Sequence, residues 1–171
     1  MKKGLTLILL SILISTSATF AQKSLKIGHI NGQEVIAMMP ERTEAENQIK
    51  AFGEQLGKDI ESLQVELNNK INDYQNNEKN YTDLIKKSKV EEIQNLQARI
   101  QEYQKNAQQE FQKKEGELMK PIIEKAQNAI KEVAKANGYT YILDISAGGV
   151  LYESDDASDI MPLVKAKLGI K

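Results

Sequence analysis

From Glu41 to Asn137 the chain carries one proline, Pro121, and glycine only at 53, 57 and 116. On intrinsic propensity such a stretch is helical. Its apolar residues are spaced with unusual regularity, at Ile49, Phe52, Leu56, Ile60, Leu63, Leu67, Ile71 and Tyr74. The steps of three, four and four repeat every eleven residues, so that Ile49, Ile60 and Ile71 form one column and Phe52, Leu63 and Tyr74 another. Eleven residues in three turns is about 3.67 per turn, which keeps the stripe almost straight or slightly right-handed. The second half shows the same columns, Ala107, Leu118 and Ala129 beside Phe111, Ile122 and Val133. Nearer the middle, Ile93, Ile100 and Ala107 keep a seven-residue spacing, with Leu96 and Tyr103 interleaved.

A narrow apolar stripe needs a partner. Between Tyr74 and Val90 the stripe weakens, and asparagine clusters at 68, 69, 72, 76, 77 and 80. One unbroken helix of about 97 residues is therefore a poorer reading than two helices folded back on each other, which bury both stripes at once. The turn is expected near 77–89. Arms of about 45 residues would reach roughly 65–70 Å at 1.5 Å per residue.

The flanks are different. Lys2 and Lys3, the apolar run Leu5 to Ile14 and the small residues ending at Ala21 have the three-part layout of a secretory signal peptide, with cleavage after Ala21. The apolar run is about ten residues, short of the roughly 20 a membrane helix needs. No cysteine stands at the cleavage site, which excludes a lipoprotein. An exported, soluble, periplasmic protein is expected. Leu25 to Ile30 reads as a strand, Asn31 as the N-cap of a short helix over Gly32 to Met38, and Pro40 as the start of the long one. Asn137-Gly138 stops the second arm. Tyr139 to Ser146 alternates as a strand, Ala147-Gly148-Gly149 turns, and Val150-Leu151-Tyr152 is expected to return as its partner strand. Ser158 or Asp159 would cap a last helix, with Pro162 in its first turn and its end at Leu168-Gly169. The expected class is α+β: a tentacle over 41–137 inserted in a small β-rich body made of 22–40 and 138–171. Three short strands and a helix are too few for an independent core, and oligomerisation would complete it.

The chain has no cysteine, no tryptophan, three phenylalanines and one histidine. Thiol chemistry and disulfides are excluded. No phosphate-cradling glycine loop or triad surrounds His29, so no enzyme, no catalytic residue and no cofactor is expected. Asp155, Asp156 and Asp159 lack a calcium-loop spacing, and no metal is expected. Without the two leader lysines, 21 basic residues face 24 acidic ones. No nucleic-acid partner is expected. Charge is uneven, however: Lys79, Lys86, Lys87 and Lys89 outnumber Glu78 and Asp83 between 76 and 90, while 41–75 has four basic and eight acidic residues. A basic tip on an acidic arm suits weak contact with anionic lipid headgroups, or simply solubility.

Stretches along the whole mature chain resemble the Skp/OmpH family of periplasmic chaperones. They are Ile27-Gly28-His29-Ile30-Asn31-Gly32-Gln33-Glu34 with Met39-Pro40, Tyr103-Gln104-Lys105-Asn106-Ala107-Gln108-Gln109-Glu110, Pro121-Ile122-Ile123-Glu124-Lys125, Ala129-Ile130-Lys131-Glu132-Val133-Ala134 with Gly138-Tyr139, Val150-Leu151-Tyr152 and Asp159-Ile160. The resemblance implies a homotrimer whose three chains close a small β-barrel and project three helical tentacles around a cavity. Unfolded outer-membrane proteins would be held there before membrane insertion, without ATP or metal. The slightly acidic balance departs from the strongly basic members of the family.

A holding chaperone needs dispersed apolar contacts in a polar surround with movable walls. Apolar residues off the stripe, Val65, Leu84, Ile85 and Ile123, are the candidate client contacts, against the alternative of packing within the hairpin. With a turn near 85, paired positions sum to about 170, and Gly53, Gly57 and Gly116 fall at one height with Pro121 slightly nearer the body. Weak helix points at one level would make a hinge; Gly53 and Gly57 could instead serve close packing. A structural coiled-coil spacer or adaptor in the envelope is the alternative function, and a membrane-surface protein using its basic tip is a third.

Overall fold

The computed structural model describes residues 25–170; the signal-peptide reading of residues 1–21 lies outside the described residues. The chain runs β1 (Ile27–Ile30), α1 (Gly32–Met38), α2 (Pro40–Asn77), a 3-10 turn (Glu78–Asn80), α3 (Asp83–Ala136), β2 (Tyr141–Asp144) and α4 (Met161–Leu168). The helices α2 and α3 form the hairpin. The chain reverses at 78–82, where Tyr81 N–H closes the 3-10 turn on Glu78 O and Thr82 Oγ1 accepts the N–H of Ile85 to cap α3. The stripe explains what is covered. Ile49, Phe52, Leu56, Ile60, Leu63, Leu67, Ile71 and Tyr74 are all half-buried, and most residues between them are exposed. Above Ala45 no residue of α2 is fully buried. One stripe facing one partner helix cannot exclude water from both its flanks.

The shorter helices start and stop where local chemistry requires. Asn31 accepts the N–H of Glu34 at 3.0 Å to cap α1, and Pro40 supplies the preset φ of the first position of α2. At the far end, α3 gives way to Gly138, whose φ of 69° is the left-handed conformation glycine adopts without strain.

The body holds the tightest packing. Both strands pair in parallel, Ile27 opposite Tyr141 through Ile30 opposite Asp144. Parallel strands need a long crossover, and here the crossover is the entire hairpin. On the inner face, Ile30 packs against Val35 and Met39 of the α1 region, Ile160 and Val164 at α4, and Ala126, Ala129 and Val133 of α3. The last turns of α3 thus pass beyond the paired arms and floor the body. Gly28 is required here: a β-carbon on it would stand 2.9 Å from Tyr139 Cε1 and 3.1 Å from both Ile142 Cδ1 and Ile160 Cγ2.

Asp144 ties β2 to α1, its Oδ1 accepting from Gly32 N (3.1 Å) and Ser146 N (2.9 Å). Burial acts to raise the pKa of this carboxyl, but the donors from Ser146 and Gly32 outweigh it and hold the group below its ordinary value. The clamp therefore stabilises the fold above the ordinary carboxylate range and is lost as pH falls through it.

The expected return strand at Val150-Leu151-Tyr152 does not form within the chain. After β2 a turn (Gly148 N to Ile145 O) leads the backbone away, leaving Leu151 97% and Tyr152 82% exposed. The place beside β1 is taken instead by residues 158–160, through His29 N to Ser158 O (2.9 Å) and Ile160 N to His29 O (3.1 Å). Among the described residues the sheet has two strands, not three. The last helix is entered through Ile160, which makes no side-chain cap, rather than Ser158 or Asp159; Asp159 Oδ1 accepts Met161 N, and the Ser158 hydroxyl bonds the Tyr139 hydroxyl. A Gly28→Ala variant is expected to lower stability by about 1–3 kcal/mol through overpacking; an unchanged urea midpoint would refute this account of the body.

Candidate functional site

The hairpin surface is the feature most open to partners, and polar pairs set its register. Climbing from the body, Glu41 pairs with Lys125, Asp59 accepts from Tyr103 (2.8 Å), Glu66 from Arg99 (3.2 Å), Lys70 donates to Glu92 (3.0 Å) and Lys89 to Asp73 (2.9 Å). Asp73 is a junction at the tip. It also accepts the Tyr81 hydroxyl and the Asn77 amide, and Lys89 lies over the Tyr81 ring. The donors hold three of these carboxylates below their usual range: Lys125 for Glu41, Lys89 and then Tyr81 for Asp73, Lys70 for Glu92. The bond to Asp59 pushes the Tyr103 phenol up. The attractions at Glu41, Asp73 and Glu92 are present above the ordinary carboxylate range and weaken as pH falls through it. They lie in solvent and are screened by salt, so their main effect is to fix which turn of α2 faces which turn of α3.

That register changes the glycine geometry. The cross-arm pairs sum to between 162 and 166, not to 170. Gly53 faces Phe111, whose Cε2 would lie 3.0 Å from an added β-carbon. Gly116 stands about five residues nearer the body than Gly53, roughly 7 Å along the helix, and Pro121 is lower still. The glycines do not share one height. Gly53 is a close-approach position, whereas Gly57 and Gly116 meet nothing within 4 Å. Around Gly53 and Gly57 the arms leave an open recess of about 340 Å³, lined by Leu56, Ile60, Ala107 and Phe111 with Gln104 and Gln108. A second, of about 270 Å³, lies at the base between Ala45, Leu118, Pro121 and Ile122.

The four apolar residues off the stripe are exposed. Val65 is 52% exposed, Leu84 80%, Ile85 43% and Ile123 36%. Leu84 and Ile85 open α3 at the tip, Val65 stands on the opposite arm, and Ile123 lies near the body; the fold scatters them rather than gathering one patch. Of the tip lysines, Lys89 is committed to Asp73 and Lys87 reaches Glu91 at 4.0 Å, while Lys79 and Lys86 make no ion pair among the described residues. No group of three or more His, Asp or Glu able to hold a metal occurs among the described residues, and no described helix is long and apolar enough to cross a membrane. Asp156 accepts the Ser154 hydroxyl.

One surface went unread in the sequence. Ile27, His29, Tyr141 and Leu143 share the outer face of the sheet, and with Leu25 they leave it apolar and open. The alternation of both strands carried the signal; which face α3 and α4 would cover did not follow from it.

Residues 26–168 of this chain, a long two-helix arm rooted in a small α+β body, match the family model described as Outer membrane protein (OmpH-like). The chain belongs to the OmpH-like family. Its fold is similar to the crystal structure of a protein from Caulobacter crescentus CB15 assigned as an outer membrane chaperone (OmpH-like), with a TM-score of 0.73, 14% identity, and 84% of this chain and 83% of that one covered. No curated protein sequence matches the chain. In this setting, Gly57→Ala is expected to stabilise by up to about 1 kcal/mol, the helix-propensity difference, whereas Gly53→Ala meets Phe111 and gains less or loses. Equal gains in thermal unfolding for the two variants would contradict the register.

Proposed function

We propose that this is a periplasmic holding chaperone that keeps unfolded outer-membrane proteins from aggregating, without ATP, by dispersed contacts along its arms. The observation that carries the reading is the exposure of Val65, Leu84, Ile85 and Ile123 on an otherwise polar hairpin. Such residues offer a client many weak contacts and no single strong site. An unfolded β-barrel protein alternates apolar and polar residues, so scattered apolar points in a polar surround suit it better than one deep pocket.

Assembly is part of the proposal. The outer sheet face with Leu25, Ile27, Tyr141 and Leu143, together with the unpaired Val150-Leu151-Tyr152, is too apolar to be left in water. Three copies joined there would close a β-barrel and set three arms around a cavity. Gly57, Gly116 and Pro121, weak points spread over several turns rather than at one level, with Gly53 packed between the arms, would let the walls flex for clients of different size. A rigid spacer fits less well, because an arm held by solvent-exposed ion pairs over a half-buried stripe is poorly suited to fixing a distance.

Dilution of an unfolded β-barrel membrane protein from urea tests the main claim. At a threefold molar excess of chains, aggregation should be suppressed, and replacing Val65, Leu84, Ile85 and Ile123 together by Ser should remove most of the suppression while helix content stays unchanged. No suppression by the unaltered protein would sink the chaperone reading. Light scattering of the protein alone should report three chains.

A second contact is favoured by the tip. Leu84, the most exposed apolar residue of the arm, lies in the same tip segment as Lys79 and Lys86, which suits shallow contact with anionic headgroups. Binding to vesicles containing an anionic phospholipid should fall with added salt and with Lys79→Gln and Lys86→Gln together; salt-insensitive binding, or none, would remove the lipid contact and leave the client reading intact.

A further inference from the structure

The recess around Gly53 and Gly57 differs in chemistry from the rest of the arm. Its floor is Leu56 and Ile60 on α2 with Ala107 and Phe111 on α3, its rim carries Gln104 and Gln108, and no charged side chain lines it. Elsewhere on the arm charge frames the open spaces. The recess at the base includes Glu41, Glu44 and Lys125, and the one nearer the tip is bounded by Glu66, Lys70, Glu92 and Arg99. At the tip end of the mid-arm recess both oxygens of Asp59 already accept, one from the Tyr103 hydroxyl and one from the Gln55 amide. An uncharged occupant suits this place, since a charged group would lose water there without gaining a partner.

The two glutamines narrow the occupant further. They are exposed, stand about one helical turn apart, and make no side-chain hydrogen bond among the described residues. Gln48 and Gln55 on α2, by contrast, are each tied to a carboxylate one turn away. Four residues of helix rise about 6 Å, and alternate residues of an extended chain lie about 6.6 Å apart. The N–H and C=O of alternate residues point to the same edge of such a chain. A carboxamide is both donor and acceptor, so Gln104 and Gln108 match two alternate residues along one edge. The side chains of those two residues share a face, and that face is the one turned to the apolar floor.

A helix is a poorer occupant. It satisfies its own backbone groups and needs a continuous apolar stripe to bury. A second copy of this chain has no such stripe to spare. Its stripe residues face the seam between its own arms, and its off-stripe residues Val65, Leu84, Ile85 and Ile123 are scattered.

We propose that the mid-arm recess is a subsite for an extended, uncharged polypeptide segment with apolar residues at alternate positions. Gln104 and Gln108 hold one backbone edge of the segment, and Leu56, Ile60, Ala107 and Phe111 receive its apolar side chains. The proposal rests on the chaperone reading only for the identity of the segment, which is then a strand of the unfolded client. Gly57 keeps the recess open. A β-carbon there meets nothing within 4 Å, so a larger side chain would occupy the space without forcing the arms apart.

Nuclear magnetic resonance of the full chain tests this, with a short capped peptide alternating Leu and Ser as the probe. The methyl signals of Leu56, Ile60 and Ala107 and the side-chain amides of Gln104 and Gln108 should shift together, with a Kd on the order of 1 mM. Gly57→Leu fills the recess with a better helix former, and should weaken binding about tenfold. Gln104→Ala and Gln108→Ala together should weaken it about fivefold. Gly116→Ala, which replaces a helix glycine outside the recess, should leave binding unchanged, and a peptide alternating Glu and Ser should produce no shift. Shifts that miss these residues, that survive Gly57→Leu, or that the Glu peptide reproduces overturn the subsite. So does a lower mass for Gly57→Leu by light scattering, which would put a second copy in the recess. Aggregation of an unfolded β-barrel protein reports separately on the chaperone reading: peptide bound in the recess without suppression of aggregation would refute the client identity alone.

Discussion

The parallel pairing of Ile27–Ile30 with Tyr141–Asp144 is the constraint from which the rest of the molecule hangs. It joins the two ends of a very long insertion, so the roots of α2 and α3 start from a fixed spacing. Because the strands are parallel, the second must begin at the same end as the first, and a crossover made of one helix out and one helix back satisfies this. The pairing also seats α4 and the last turns of α3 on one sheet face. That commits the other face to solvent or to another subunit. The close fit at Gly28, where three side chains converge on the missing β-carbon, shows how little room the body leaves.

Beyond the body, packing gives way to register. No residue of α2 past Ala45 is fully buried, so the arm is a pair of amphipathic helices that touch along one seam and stay wet on both sides. What distinguishes one sliding position from another is the ladder of charged and phenolic pairs, with the Asp73 junction at its top. A seam of this kind keeps its alignment without being rigid.

Much of this was legible in the residues. Every residue of the eleven-residue stripe from Ile49 to Tyr74 is half-buried, because helical period and burial are two readings of the same geometry. Asn31, Pro40 and Gly138 act locally, through caps and backbone angles, and local chemistry can be read from neighbours in sequence. Strand pairing cannot. Val150-Leu151-Tyr152 has strand composition, yet residues 158–160 occupy the place beside β1, a competition decided by where the backbone leads after Ile145. The cross-arm register was equally hidden, since a few residues of error in the turn move every pair. Lys89 looked like one more basic residue of the tip until the fold set it against Asp73. The exposure of Val65, Leu84, Ile85 and Ile123 was a matter of which side of a seam each residue falls on, and the stripe itself marks that side.

The continuity of α3 has a mechanical consequence. One helix runs from the tip, through Pro121, to the floor of the body, so it acts as a lever whose short end is clamped by α4 and whose long end moves together with α2. From Pro121 to Asp83 the lever measures about 57 Å at 1.5 Å per residue. A tilt of about 5° at the fulcrum would carry the tip through roughly 5 Å over that length, more than the width of a side chain. Small adjustments in the packing of Ala126, Ala129 and Val133 therefore become large displacements at the far end, and a load on the tip is returned to the body with the same mechanical advantage.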